Sequence, residues 1–74
     1  MMIRYKNISG KSGVIQYQAG SDYILVKFIN DAIYRYTYAS AGKQVIEKMK
    51  QLAKQGKGLS TYISQFVKDN FENA

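Results

Sequence analysis

Few residues in this chain have types and spacings that could do chemistry, and most of those read better as structure. Ser40-Ala41-Gly42-Lys43 has the S-x-x-K spacing that sets a serine nucleophile one helical turn from a lysine base, and Lys11-Ser12-Gly13 echoes the companion K-T-G element of penicillin-recognising enzymes. No S-D-N element accompanies them, and 74 residues are too few for that fold. Ser40 therefore reads as a helix N-cap with Lys43 in the first turn. Gly10-Lys11-Ser12 matches the end of a phosphate-binding loop, but Tyr5 occupies the position of its earlier glycine. Val14 to Tyr17 also reads as a strand where that loop needs a helix, so the tripeptide is a turn. Of the carboxylates, Asp22 and Asp31 fall in turns, Glu47 on a first helix, and Asp69 and Glu72 one turn apart on the outer side of a second. No set has metal-ligand or acid–base spacing. Histidine and cysteine are absent, which removes the commonest general base and metal ligand, any thiol nucleophile and any Cys-based zinc site. No cofactor or metal is expected, and the chain reads as non-enzymatic.

The cations are the other chemical resource. Eleven Lys and Arg against five Asp and Glu give a formal charge of +6, which favours anionic partners. Lys43, Lys50 and Lys54 share one helical stripe, with Glu47 among them, Lys48 to the side and Lys57 following in a glycine loop. Such a stripe is usually a solvated helix face; its functional meaning would be contact with phosphates. Lys27 and Arg35 form a second candidate set, on strands and facing the opposite side of the molecule. Seven tyrosines could add base stacking, but only those left exposed.

Those side chains need elements to position them. Residues 7 to 13 are turn-rich. Ser12 to Gln18 reads as a first strand, with Ile15 and Tyr17 on one face and Val14, Gln16 and Gln18 on the other. Ala19 to Asp22 is a turn, Tyr23 to Ile29 the clearest strand, Asn30-Asp31 a second turn, and Ala32 to Tyr38 a third strand. From Lys43 to Gln55 the apolar residues Val45, Ile46, Met49, Leu52 and Ala53 recur at helical period, and Gly56 ends the helix. A second helix starts near Ser60 with Leu59, Tyr62, Ile63, Phe66 and Val67 on one stripe, which Phe71 extends. The class is α+β: a three-stranded antiparallel meander, allowing a short extra strand near Ile3, covered on one face by two C-terminal helices. Residues 1–74 make one small domain with a core of about 12–71.

Strand register decides where the tyrosines point. A two-residue turn would set Lys27 opposite Tyr34. A three-residue loop, a type I turn followed by a bulge, would set Phe28 opposite Tyr34, Val26 opposite Tyr36 and Lys27 opposite Arg35. The second gathers Ile24, Val26, Phe28, Tyr34, Tyr36 and Tyr38 on one face, and that segregation favours it. Tyr34 and Tyr36 then belong to the core, leaving Tyr5, Tyr23 and Tyr62 as stacking candidates.

The order of a strand with Ile24-x-Val26-x-Phe28, an Asn-led turn, Tyr34-Arg35-Tyr36, a helix, and Gly56-Lys57-Gly58-Leu59-Ser60-Thr61-Tyr62-Ile63 resembles the KTSC domain. That short module occurs at the C-terminus of some lysyl-tRNA synthetases and as a free-standing bacterial or phage protein. The likeness runs from Ser12 to Val67, on a central Y-x-Y met by Tyr34 and Tyr36 and a Gly-Leu-x-x-Tyr/Phe-Ile element met by Gly58, Leu59, Tyr62 and Ile63. Asp31 departs from the Asn-Gly turn common in such domains. The resemblance implies a module associated with RNA and tyrosines with a functional part, against the core reading. The expectation is a non-catalytic module that binds RNA, either tRNA or a single strand, through Lys27 and Arg35 or through Lys43, Lys50, Lys54 and Lys57. The alternative is a protein-interaction or self-associating module. Met1 to Lys6 is no signal peptide, and Ile24-Leu25-Val26 is the longest apolar run. No membrane partner is expected, and the cytoplasm is the expected compartment.

Overall fold

The computed structural model describes residues 2–7 and 13–72. The Gly10-Lys11-Ser12 turn, the Lys11-Ser12 part of the K-T-G echo and the Ser12 start of the first strand lie outside the described residues. The class is α+β, as the sequence implies. Four strands, β1 (Ile3–Arg4), β2 (Val14–Ala19), β3 (Tyr23–Phe28) and β4 (Ile33–Thr37), form one antiparallel sheet in sequential order, so the extra N-terminal strand exists.

Two local features correct the strand reading. A bulge lies between Val14 and Gln16, where β2 shifts register against β3. The additional residue, Ile15, lets Val14 and Tyr17 share the buried face, while Gln16 and Gln18 face the other way. Simple alternation had placed Val14 with the glutamines. At the second hairpin, Phe28 N–H bonds the Ala32 carbonyl and Asp31 N–H bonds the Phe28 carbonyl, both at 2.9 Å, with Asp31 at φ 67°. This is the type I turn with a left-handed third residue, but the loop is Ile29-Asn30-Asp31. Pairing is therefore displaced by two residues: Val26 faces Tyr34, Ile24 faces Tyr36, Lys27 faces Ile33 and Arg35 faces Leu25. A shift of two keeps every side chain on its face, so the placing of Tyr34 and Tyr36 stands, while the Lys27–Arg35 pairing and the strand position of Tyr38 do not.

Tyr38 leaves the strand and opens a short helix, α1 (Tyr38–Ala41). Thr37 is its N-cap: Ser40 N–H donates to the Thr37 hydroxyl oxygen and Thr37 N–H to the Ser40 hydroxyl oxygen, each at 3.0 Å. Ser40 thus caps α1 reciprocally and is not the N-cap of the long helix. Gly42, at φ 96°, separates α1 from α2 (Lys43–Gln55), since a side chain rarely tolerates that backbone angle. Helix α2 buries Ile46, Met49 and Ala53 and ends at Gly56 in the left-handed conformation. A Cβ at Gly56 would come within 2.5 Å of the Lys6 Cβ, so the glycine also lets the N-terminal segment lie against the helix end.

The last helical stretch runs from α3 (Leu59–Tyr62) into a π-helical turn (Ile63–Val67). Leu59, Ile63 and Val67 are buried, Tyr62 is half-buried, and Phe66 is 65% exposed against the Tyr62 ring, so the expected five-residue stripe is narrower than its sequence. The helix stops at Val67, and Lys68 at φ 54° and ψ −120° turns the chain back, with Asn70 N–H on the Val67 carbonyl. Asp69 and Glu72 are therefore not on a helix. Phe71 packs on Tyr34 and Tyr36, Glu72 N–H bonds the Arg35 carbonyl, and the Thr37 hydroxyl donates to the Glu72 carboxylate. The core thus lies between one sheet face (Val14, Tyr17, Ile24, Val26, Tyr36) and the helices.

Candidate functional site

The sheet's second face is left open, and its residues are half-buried or exposed except for Thr37 at the end of β4, which is buried. In-register pairing sets their rows: Arg4–Gln16–Lys27–Ile33 runs across all four strands, and Gln18–Leu25–Arg35 lies beside it. Opposed residues point to the same side, so Arg4, Lys27 and Arg35 share this face. Neighbouring strands are ~4.8 Å apart, which puts the Arg4 and Lys27 backbones roughly 10 Å from one another. No Asp or Glu occurs within β1 to β4. Asp31 in the hairpin turn has its carboxylate 3.7 Å from the Lys27 ammonium in an exposed pair of little energetic weight, and the Glu72 carboxylate accepts from the Thr37 hydroxyl at the end of β4. Tyr23, half-buried beside these rows, has the Arg35 guanidinium 5.4 Å from its ring centre and accepts a 3.3 Å hydrogen bond from Gln18. Gly20 leaves room for that ring, because a Cβ there would overlap it.

The helix lysines behave differently. Lys50 donates to the Ser21 carbonyl at 3.0 Å and to Glu47 at 2.8 Å, with its side chain only 16% exposed. Its ammonium also lies 5.7 Å from the Tyr38 ring centre, and the Tyr38 hydroxyl donates to Glu47 at 2.6 Å. This clasp ties α2 to the β2–β3 turn. The Lys50 and Tyr38 hydrogen bonds hold the Glu47 carboxyl below its usual range, and the bond to Glu47 in turn raises the Tyr38 hydroxyl. Lys43, Lys48, Lys54 and Lys57 are exposed around it. The four-lysine candidate surface is therefore broken at Lys50, and it lies across the molecule from Lys27 and Arg35.

The expected stacking residues also divide. Tyr5 is buried, and its hydroxyl accepts the Leu59 N–H at 3.3 Å, so it cannot stack on a ligand. Tyr23 keeps that capacity. Tyr36 is 1% exposed, and burial, helped by nearby Tyr34, pushes its hydroxyl up to about 12. Tyr34 is half-buried between Phe28 and Phe71. Gly58 sits at φ 82° before α3, Leu59 and Ile63 are buried, and Tyr62 is half-buried. The residues that suggest a family thus shape the core and its turns.

Protein-family models, curated proteins and solved structures offer no match to this chain.

Among the described residues no three acidic side chains gather as they would around a metal ion, and no helix is long and apolar enough to cross a membrane. Sequence reasoning missed Arg4, Gln16 and Gln18 as partners of Lys27 and Arg35. Arg4 follows Ile3 in the extra strand, and fixing that strand's register would have found it.

Proposed function

We propose that this chain is a non-catalytic module that binds nucleic acid, single-stranded RNA first, on the open face of its sheet. One observation carries the reading: Arg4, Lys27 and Arg35 occupy one open face whose strands contain no carboxylate. Guanidinium and ammonium groups neutralise phosphates, Gln16 and Gln18 offer amide donors and acceptors, and Tyr23 offers a ring on which a base can stack. The resemblance to the KTSC domain supports the same reading by its association with an RNA-handling enzyme. Tyr34, Tyr36, Gly58, Leu59, Tyr62 and Ile63 then hold the platform rather than touch the ligand. The cytoplasm is where such a module would meet RNA.

Fluorescence anisotropy with a labelled single-stranded RNA, titrated across salt concentrations, tests this. Three phosphate contacts on a single strand should give a log–log salt slope of roughly −2. Absence of binding to single-stranded RNA and to tRNA at low salt overturns the proposal. A second reading, a protein-interaction module, draws on the exposed Phe66 leaning on Tyr62 at 5.2 Å between ring centres. Binding abolished by Phe66→Ala and untouched at Lys27 and Arg35 would favour it.

A further inference from the structure

Tyr5 N–H bonds the Ile15 carbonyl, with the Ile15 bulge on one strand and Asn7 at φ 53° following the other. Lined from both sides of this bond is an open cleft of about 510 Å³. Tyr5 and Val14, both buried, form part of its wall, and Arg4, Lys6, Asn7 and Gln16 supply its polar groups. The described lining includes two cations and no carboxylate. Two positive charges match a phosphomonoester dianion better than the single charge of a backbone diester. The volume lies within the range of small-ligand sites, ~300–1,000 Å³, so it admits a nucleotide rather than a bare phosphate alone.

Two observations connect the cleft to the open face. Arg4 and Gln16 line the cleft and also begin the row that continues to Lys27. Lys6 belongs to the cleft and lies outside β1, with its stem held against Gly56 at the end of α2. We propose that this cleft receives the terminal, phosphomonoester-bearing nucleotide of a nucleic-acid strand lying across the open sheet face. The proposal rests on the nucleic-acid reading above and adds to it a preference for one kind of strand end.

The test uses one RNA oligonucleotide made with hydroxyls at both ends, with a 5′-phosphate, or with a 3′-phosphate. The full chain and its Lys6→Gln and Lys27→Gln variants are titrated with each, and thermal melting checks that the variants fold. One of the two phosphorylated forms should bind the unaltered chain about tenfold more tightly than the hydroxyl form. Lys6→Gln should bring the phosphorylated form's affinity down to that of the hydroxyl form, whereas Lys27→Gln should weaken all three alike and keep the gain. Equal binding of the three oligonucleotides to the unaltered chain overturns the terminal-phosphate proposal and leaves the face-binding reading standing. A gain that persists in folded Lys6→Gln overturns the placement in this cleft. Failure of all three to bind at low salt overturns both readings.

Discussion

The two faces of this sheet carry the same residue types in opposite employment. On the covered face Tyr36 is packed under the helices, and Tyr34 is wedged between Phe28 and Phe71. On the open face Tyr23 meets a guanidinium and an amide instead of a core. The cations show a parallel contrast between the sheet and α2. Lys50 is locked to Ser21 and Glu47 with its side chain 16% exposed, while Lys27 meets Asp31 only in an exposed pair at 3.7 Å and Arg35 lies over the Tyr23 ring. Tyrosine count and net charge therefore say little about binding until each side chain has a face and a partner.

The contrast breaks most sharply under charge reversal. Lys27→Glu combined with Arg35→Glu should weaken single-stranded RNA binding roughly a hundredfold at low salt, whereas Lys43→Glu with Lys54→Glu should cost about threefold or less. Anisotropy titrations at matched ionic strength compare the two doubles, and equal losses would erase the distinction between the surfaces. The covered face answers to pH instead. With the folded Tyr36 hydroxyl at about 12 against 10.0 unfolded, the unfolded chain loses this proton first as pH rises. Its contribution is intact below pH 10 and should fall by on the order of 2–3 kcal/mol by pH 12. Urea melts of the unaltered chain and Tyr36→Phe across that window should diverge in slope, with no matching change in RNA affinity near neutrality.

Smaller effects lie at the borders of the faces. Lys68 occupies φ 54° and ψ −120°, a turn position suited to glycine, so Lys68→Gly should stabilise the return of Phe71 onto the covered face by about 1 kcal/mol. Thermal melting reads this directly. Asp31→Gly relaxes the left-handed position at the edge of the open face and removes the carboxylate paired with Lys27. A gain of about 0.5 kcal/mol in stability and about twofold in RNA affinity is expected. A change in stability alone would show that Asp31 does not screen the face.

Much of this architecture was legible because periodicity is local. Ile46, Met49 and Ala53 announce α2, and the β-branched run of β3 announces a strand. The covered face was readable despite a wrong pairing, because the displacement by two residues preserved its parity. The bulge at Ile15 was not readable, since one additional residue leaves no mark in an alternation that is already irregular. Phe66 misled because a π-helical turn rotates residues differently from the α-helical period assumed for it. The site was half legible: Lys27 and Arg35 were on the page, but Arg4 needed a two-residue strand placed through long-range pairing. Tyr5 misled for the same reason, because its partner, Leu59, is remote in sequence.

That partnership has a consequence for the order of assembly. The Tyr5 hydroxyl meets the Leu59 amide across 54 residues of chain, while the β2–β3–β4 hairpins close over short turns. Loop-closure entropy favours nucleation in the hairpins and defers the Tyr5–Leu59 contact until the helices have docked. Tyr5→Phe should then leave the refolding rate nearly unchanged and speed unfolding roughly fivefold, the loss of about 1 kcal/mol appearing wholly in one arm of a chevron plot. On this path the bond from Leu59 to Tyr5 is the closing stitch of the fold, fastening the chain just after Arg4 to the start of α3.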